Sequence, residues 1–241
     1  MNHQKIKATS FPEGILLVDK PSGRTSFSLV ALARKRTGQK KIGHAGTLDP
    51  FATGLLILLL GRAWTRKADL FLTEDKEYSA TVKLGKATDS YDRDGQTTAT
   101  SPYIPSQKEI ESVLKGFQGE YNQIPPMFSA KKKDGKKLYE LARKGINIDR
   151  EPQKVKIHTH LEWYSYPDLK VYIRCSKGTY IRSIANDLGE KLGCYAYVHE
   201  LERTRSGSFS LEKAVSFETF ETCTSETVRE FLIEDYGRLH P

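Results

Sequence analysis

Residues 40–61, KKIGHAGTLDPFATGLLILLLG, place one aspartate, Asp49, between a glycine-rich bend and an apolar run. Pro50 biases the backbone of Asp49 toward an extended conformation. The apolar run at 55–60 has the length of a strand that is buried on both faces. The segment therefore predicts a buried strand with a constrained loop before it, and a carboxylate buried on that loop. Two interpretations stay open at this point, a turn aspartate before a core strand and a functional carboxylate.

The rest of the chain predicts more strands than helices. Alternating apolar and polar residues indicate strands at 77–84, 155–163 and 169–175, the last two paired as a hairpin. Helical spacing and capping signals indicate helices at 26–36, 106–117 and 176–193. Since most strands follow one another directly, the predicted class is α+β, with a largely antiparallel mixed sheet flanked by helices.

Domain boundaries follow from changes in composition. Residues 1–211 are expected to form one domain, and 121–153, which contain Pro125-Pro126 and a lysine cluster, to form an insertion that projects from it. Residues 212–241 are expected to form a short acidic tail with one or two helices. This tail contains seven acidic and three basic residues, a net charge of −4. Since the whole chain has a net charge of +8, residues 1–211 must have a net charge of +12.

The positive charge is concentrated in two stretches, one at 34–41 and one at 131–144. Two dense basic runs on a basic body favour a polyanionic partner, and RNA or DNA is the usual one. Three widely spaced cysteines form neither a disulfide framework nor a CxxC metal site. The N-terminus lacks an apolar signal-peptide core, and no apolar run has the length of a membrane span. We therefore expect a cytoplasmic protein that does not act on membranes.

Five segments occur in a fixed order: VDKPSGRTS at 18–26, GHAGTLDPFATGLL at 43–56, KEYSATVKLG at 76–85, GTYIRSIANDLG at 178–189 and LERTRSGSF at 201–209. Together they resemble the TruB-type tRNA pseudouridine synthases, over about residues 13–211. The resemblance implies the pseudouridine-synthase fold. It also implies conversion of a uridine in the T-arm loop of tRNA, position 55 in tRNA numbering, to pseudouridine without a metal or cofactor.

The resemblance also implies roles for individual residues. Asp49 is expected to be the catalytic aspartate, Tyr78 the active-site tyrosine and Arg182 the ion-pair partner of Asp49. His44 is expected to fill the space that the flipped nucleotide leaves. Further substrate contacts are expected from a set of small, apolar and basic residues: Lys20, Pro21, Gly43, Gly46, Leu201, Lys131, Lys132 and Lys133.

The chemistry agrees with these residue types. A carboxylate can attack covalently or stabilise positive charge on the sugar when the glycosidic bond breaks, and an arginine beside it keeps it ionised. A tyrosine offers a ring for stacking and a phenol for proton transfer. Whether Asp49 attacks the sugar or the base stays open, as does the choice between Tyr78 and Asp49 as the group that takes the sugar proton. Asp92 is a further candidate for RNA contact or for ordering the site.

The lysines of the 121–153 insertion are expected to grip the T-arm. Many family members continue into a C-terminal PUA-like RNA-binding domain, whereas residues 212–241 are too few and too acidic for one. We expect a monomer that needs no obligate protein partner. Two alternatives are a guide-RNA-dependent synthase subunit and a non-catalytic module that binds or folds tRNA.

Overall fold

A computed structural model of the chain describes residues 11–129, 131–133, 135–142, 145–146, 148–235 and 237. The chain divides into two compact units. The first unit runs to Leu72 and resumes at Ser208, and the second unit is Thr73–Gly207. The strands are β1 Gly14–Lys20, β2 Ile42–His44, β3 Thr53–Leu60, β4 Lys76–Leu84, β5 Lys86–Thr88, β6 Thr97–Thr100, β7 Gly119–Gln123, β8 Lys132–Lys133, β9 Lys136–Lys137, β10 Gln153–Ser165, β11 Asp168–Cys175, β12 Ala196–Ser206 and β13 Phe209–Ser210. The helices are α1 Ser26–Thr37, α2 Arg62–Thr65, α3 Ala68–Leu72, α4 Gln107–Lys115, α5 Leu138–Ala142, α6 Ile181–Leu192, α7 Phe217–Thr222 and α8 Ser225–Glu230, with a 3₁₀ turn at Leu211–Lys213.

In the first unit, β3 lies between β1 and β2 and pairs with both in antiparallel fashion. Its side chains alternate between two core clusters. Leu56, Leu58 and Leu60 join one cluster. Leu55 and Ile57 join the other. Burial on both faces explains why the run is apolar without alternation, and the predicted buried strand is confirmed.

The C-terminal stretch packs into the core of the first unit. The N–H of Asp19 donates to the carbonyl of Val215 at 2.9 Å, and Ile15 and Ile233 exchange two hydrogen bonds of 2.9 Å each. Val215 and Phe220 belong to the same apolar cluster as the even-numbered leucines of β3. One or two short helices were predicted here, and two are present, α7 and α8. The compact units thus divide the chain differently from the expected boundary at residue 211.

The second unit is built on an antiparallel sheet with the strand order β12–β4–β11–β10–β7. In β4 every second residue is buried, from Lys76 through Tyr78 and Ala80 to Leu84, so the predicted alternation is confirmed. Helix α6 packs on β12 and β4. Helix α4 begins with the predicted capping box between Ser106 and Glu109. The expected α+β class, with a largely antiparallel sheet flanked by helices, is confirmed.

The predicted insertion overlaps the sheet at both ends, which corrects its boundaries. Strand β7, Gly119–Gln123, pairs with β10 from Gln153 to Ile157. Only the stretch between these strands leaves the sheet. It contains the short hairpin β8–β9 and the helix α5. Strand β7 was not predicted, because GEYNQ is polar and its ladder partner lies about thirty residues further on.

Candidate active site

Asp49 lies on the loop between β2 and β3, in a turn that is closed by a hydrogen bond from the N–H of Ala52 to the carbonyl of Asp49, 3.1 Å long. Ser26, the first residue of α1, fixes Leu48, the residue directly before Asp49. The Ser26 hydroxyl accepts from the N–H of Leu48 at 2.9 Å and donates to the Leu48 carbonyl at 3.1 Å. Asp49 itself is only partly buried, which corrects the expected buried carboxylate. A fixed backbone therefore presents a carboxylate that solvent reaches.

Lys20 holds the other side of this loop. Its ammonium group donates to the carbonyls of Pro21 at 2.8 Å, Pro50 at 3.2 Å and Ala52 at 2.6 Å. The side chain is fully buried, and these carbonyl dipoles offset part of the cost of burying its charge. We predicted Lys20 and Pro21 as substrate contacts. The structure shows that the Lys20 amine orders the Asp49 loop, and the substrate contacts of Lys20 and Pro21 stay predictions.

His44 and Gly43 end the short strand β2, where His44 pairs with Leu58 of β3. A Cβ at Gly43 would have Thr65 Cγ2 as its nearest neighbour, at 3.6 Å. A Cβ at Gly43 would therefore meet Thr65 at ordinary van der Waals distance. Gly46 has a φ of 94°, a value that side chains disfavour. The geometry is compatible with a backbone that approaches a nucleotide, and the roles of these three residues stay predictions.

Tyr78 and Leu201 share the buried face of the second unit's sheet. Tyr78 lies opposite Arg203 of β12, and Leu201 lies opposite Ala80, the next inward residue of β4. Tyr78 and Leu201 are thus diagonal neighbours, about 7–8 Å apart at their Cα atoms in such a ladder. Tyr78 is 9% exposed and Leu201 is 6% exposed. The tyrosine and the predicted pocket residue therefore lie close together on the face that α6 covers.

Arg182 lies in the first turn of α6 and is only 4% exposed. Its Nη1 lies 3.4 Å from Oδ2 of Asp92 and donates to the Ser90 carbonyl at 3.1 Å. Its Nη2 donates to the Phe128 carbonyl at 2.9 Å. Asp92, the weaker candidate from the sequence, thus pairs with the predicted catalytic arginine. Asp49 belongs to the first unit and Arg182 to the second, and the ion pair between them stays a prediction.

Gln123 is a structural residue of this site that the sequence did not indicate. It is fully buried at the end of β7. Its amide nitrogen donates to the Gly178 carbonyl at 2.6 Å, and its amide oxygen accepts from the N–H of Tyr180 at 2.9 Å. These bonds fix the backbone that enters α6, whose N-cap lacks a side-chain hydrogen bond. Gln123 therefore orders the helix start that carries Arg182.

Two cations are buried on the same sheet face as Tyr78. Lys76 lies two residues before Tyr78 on β4, and Arg203 of β12 lies directly opposite Tyr78. Burial and the positive charge of Arg203 lower the pKa of Lys76 to about 8. The Lys76 amine donates to the carbonyl of Glu74 at 2.6 Å. The predicted strand began at residue 77, and nothing in the sequence indicated that two cations would share the inward face.

For the lysines predicted to grip the RNA, the structure describes the backbone, and their role stays a prediction. Lys132 and Lys133 form β8, which pairs with β9, and the Lys131 carbonyl accepts from the N–H of Leu138 at 2.8 Å. Within the described ranges, no three His, Cys, Asp or Glu side chains are grouped closely enough to hold a metal ion. In the same part of the chain, no helix has both the length and the apolar character of a membrane span.

Comparison with known proteins gives the family. The profile described as "TruB family pseudouridylate synthase (N terminal domain)" matches residues 34–181. A second profile, "tRNA pseudouridylate synthase B C-terminal domain", matches residues 182–235. The chain belongs to the TruB family of pseudouridylate synthases. It is therefore an enzyme of the isomerase class, as the five motifs indicated.

Individual TruB relatives support this assignment. A protein of Protochlamydia amoebophila named tRNA pseudouridine synthase B is 56% identical over 93% of this chain and 86% of its own length. One of Chlamydia abortus with the same name is 58% identical over 86% of this chain and 88% of its own. Among solved structures, a Cbf5-Nop10-Gar1 complex contains a chain with 28% identity and a TM-score of 0.70. The match covers 93% of this chain and 60% of the length of that one.

Proposed function

We propose that this TruB-family chain converts uridine 55 in the T-arm loop of tRNA to pseudouridine. The observation that carries the proposal is the high identity, over nearly the whole chain, to relatives named tRNA pseudouridine synthase B. The structure is consistent with it, since Asp49 is presented to solvent on a fixed loop and Arg182 is buried in an ordered setting. We further propose that the chain acts as a cytoplasmic monomer without an obligate protein partner, and that residues 1–211 form its catalytic domain.

The reaction is an isomerisation, so its atoms and electrons balance within the nucleotide. The bond from the sugar C1′ to N1 of uracil breaks, and a bond from C1′ to C5 forms. A proton leaves C5, and N1 gains one. No external oxidant or reductant is required, which is why we propose that the chain needs no cofactor or metal. The target atoms are inaccessible in a stacked loop, so the uridine has to be flipped out at a cost of a few kcal/mol.

We assign the bond cleavage to Asp49 and the proton transfer to Tyr78. A carboxylate stabilises positive charge as it develops at C1′, by covalent attack or electrostatically. In this proposal Arg182 is the ion-pair partner of Asp49, and its positive charge keeps the Asp49 carboxylate ionised. We propose that the Tyr78 ring, a diagonal neighbour of Leu201, offers a surface for the flipped base and that its phenolic oxygen takes up the proton. His44 fills the vacated space in the loop.

The lysines of the projecting stretch are assigned to the RNA backbone. Lys131, Lys132 and Lys133 belong to a segment with a net charge of +5 at 131–144, and phosphate contacts position an RNA without reading its sequence. Binding that rests on such contacts weakens linearly on a log–log plot as salt rises.

A guide-RNA-dependent activity is the second candidate, because the chain is similar in fold to Cbf5 in a Cbf5-Nop10-Gar1 complex. The two functions are separated by an assay of the purified chain alone. Tritium release from tRNA that carries 5-tritiated uridine measures loss of the C5 proton directly. We expect release with the wild-type chain and no guide RNA, and none from tRNA in which uridine 55 is replaced by cytidine.

Asp49→Ala tests the assigned catalytic residue in the same assay. We expect activity to fall to background, while Asp69→Ala, an exposed aspartate of the same unit, stays at the wild-type rate. Release by the wild-type chain only after a guide RNA and partner proteins are added would refute the stand-alone activity. Undiminished release by Asp49→Ala would remove Asp49 from its role.

A further inference from the structure

Phe27 is the most exposed large apolar side chain among the described residues, with 62% of its surface accessible. It lies in the first turn of α1, a helix in which Leu29, Val30 and Ala33 are buried and Ala31 is exposed. A ring in this position forgoes about 1.5–3 kcal/mol of burial that a position on the opposite face would give. Single exposed apolar residues are common, so the surroundings of the ring decide whether it has a role.

Arg34 holds the ring from one side. It lies seven residues later, two turns along the same helix face, and its guanidinium carbon is 5.6 Å from the ring centroid of Phe27. The guanidinium is itself fixed, because its Nη2 donates to the Ile42 carbonyl at 2.9 Å. A cation over one ring face orders the aromatic side chain. The remaining accessible surface of Phe27 faces solvent.

Phe27 is also close to the Asp49 loop, within the same unit. Ser26, directly before Phe27, makes two hydrogen bonds to Leu48, directly before Asp49. Standard backbone dimensions then place the Cα atoms of Phe27 and Asp49 within about 14 Å of each other. A few nucleotides of single strand span that distance.

The stretch of chain that carries the ring is basic. No acidic residue occurs between Arg24 and Leu48. Lys35, Lys40 and Lys41 are exposed. An exposed aromatic ring on a basic stretch of chain, with the Arg34 guanidinium over it, combines the two features that bind single-stranded nucleic acid, a stacking surface for bases and cations for phosphates.

We propose that Phe27 stacks on an unpaired nucleobase of the RNA substrate, next to the flipped uridine, with Arg34 holding the ring in place. The inference rests on the proposed function, since it takes tRNA as the substrate. The ring adds binding energy that offsets part of the cost of extruding the target base. Stacking on one aromatic residue is worth about 1–3 kcal/mol per base, which corresponds to a change in Kd or KM of roughly fivefold to 150-fold.

The test compares three substitutions of Phe27 on an unmodified T-arm stem-loop. Phe27→Ala removes the ring, Phe27→Leu keeps apolar bulk without a π face, and Phe27→Trp keeps the π face. We expect Kd and KM to rise at least fivefold for alanine and leucine, to stay near wild type for tryptophan, and kcat at saturation to hold. Ile104→Ala, which truncates a residue of the second unit that is 59% exposed, is the matched control and is expected to change neither parameter.

A spectroscopic readout separates stacking from a structural effect. With 2-aminopurine at each loop position in turn, one position is expected to lose fluorescence on binding to the wild-type chain and to retain it with Phe27→Leu. Thermal unfolding of the variants is expected to match wild type, because the ring is exposed. Equal Kd values for wild type and Phe27→Ala would overturn the inference, as would full binding by Phe27→Leu. Tritium release by the wild-type chain in parallel shows whether the proposed function itself holds.

Discussion

Replacing Asp92 by asparagine tests the buried ion pair that orients Arg182. The two side chains are 8% and 4% exposed, with Oδ2 of Asp92 3.4 Å from Nη1 of Arg182. Asp92 Oδ1 accepts from the Ser90 hydroxyl at 2.5 Å and from the N–H of Asp94 at 3.1 Å. An asparagine oxygen can replace Oδ1 in both hydrogen bonds. Asp92→Asn therefore removes the negative charge with little change in shape.

The magnitude follows from the separation and the burial. At an effective dielectric constant of about 20, two unit charges 3.4 Å apart attract by about 5 kcal/mol. Removing one partner of a buried pair costs about 3–5 kcal/mol, because the other charge stays desolvated. The carbonyls of Ser90 and Phe128 continue to accept from the Arg182 guanidinium, so we expect the lower end. The free energy of unfolding of the second unit should fall by about 3 kcal/mol.

The assay follows each unit through its own tryptophan. The chain has two, Trp64 in the first unit and Trp163 in the second. In a Trp64→Phe background, urea unfolding monitored by fluorescence reports on the second unit. Asp94→Asn is the matched control, because Asp94 is a neighbouring acid with a 63% exposed side chain. We expect it to change stability by less than about 0.5 kcal/mol.

Two results would refute the reasoning about Asp92. A loss below about 1 kcal/mol for Asp92→Asn would mean that the pair is not an important part of the stability of the second unit. An unchanged rate of tritium release, measured well below the unfolding temperature, would mean that Asp92 does not orient Arg182 for catalysis. We expect instead a lower kcat with little change in KM, because a misoriented arginine acts on the chemical step.

The remaining predictions concern buried positions of the second unit. The pKa of Lys76 is lowered to about 8 in the folded chain from 10.5, so above pH 8 the unfolded state binds more protons and this residue's contribution to stability rises with pH. Between pH 8 and 10, the wild type should therefore gain stability relative to Lys76→Met by up to about 1.4 kcal/mol per pH unit. Urea titrations at several pH values check this, and a difference independent of pH would contradict it. At Gly189 of α6, a Cβ would lie 2.1 Å from the backbone nitrogen of Ala196. Gly189→Ala should therefore push α6 away from β12 and destabilise the second unit by about 3 kcal/mol, the upper end of the usual cost of overpacking. The same unfolding assay measures this, and a variant as stable as wild type would show that the helix shifts without cost.

Much of the fold was predictable, because its strands and helices carry local signals. The alternation at 77–84, the capping box at Ser106 and the glycine stop of α6 were each enough to predict an element that the structure contains. Strand β7 lacks such a signal, since its sequence GEYNQ is polar and pairing with β10 alone defines it. The C-terminal helices were predicted, but their place in the core of the first unit depends on contacts across some two hundred residues of sequence.

The candidate site was predictable to a different extent. The resemblance of the ordered motifs to a known family pointed to Asp49, Tyr78 and Arg182, and their residue types suit the chemistry. The environment of Lys20 was not predictable, since lysine is seldom buried and its acceptors lie about thirty residues away. The contribution of Gln123 was missed for the same reason, because its bonds to the start of α6 span more than fifty residues.

The hydrogen bonds of Arg182 use the geometry of arginine and not only its positive charge. Its two terminal nitrogens reach Asp92, the Ser90 carbonyl and the Phe128 carbonyl, which come from two separate segments of the second unit. A planar guanidinium with donors in a fixed fork meets such acceptors at once, whereas a lysine ammonium is a single point charge on a flexible stem. Lysine would keep the charge and lose this geometry. The Ser90 and Phe128 segments therefore hold the orientation of the guanidinium. The loop after β5 and the segment before the hairpin β8–β9 thus contact the same predicted catalytic side chain.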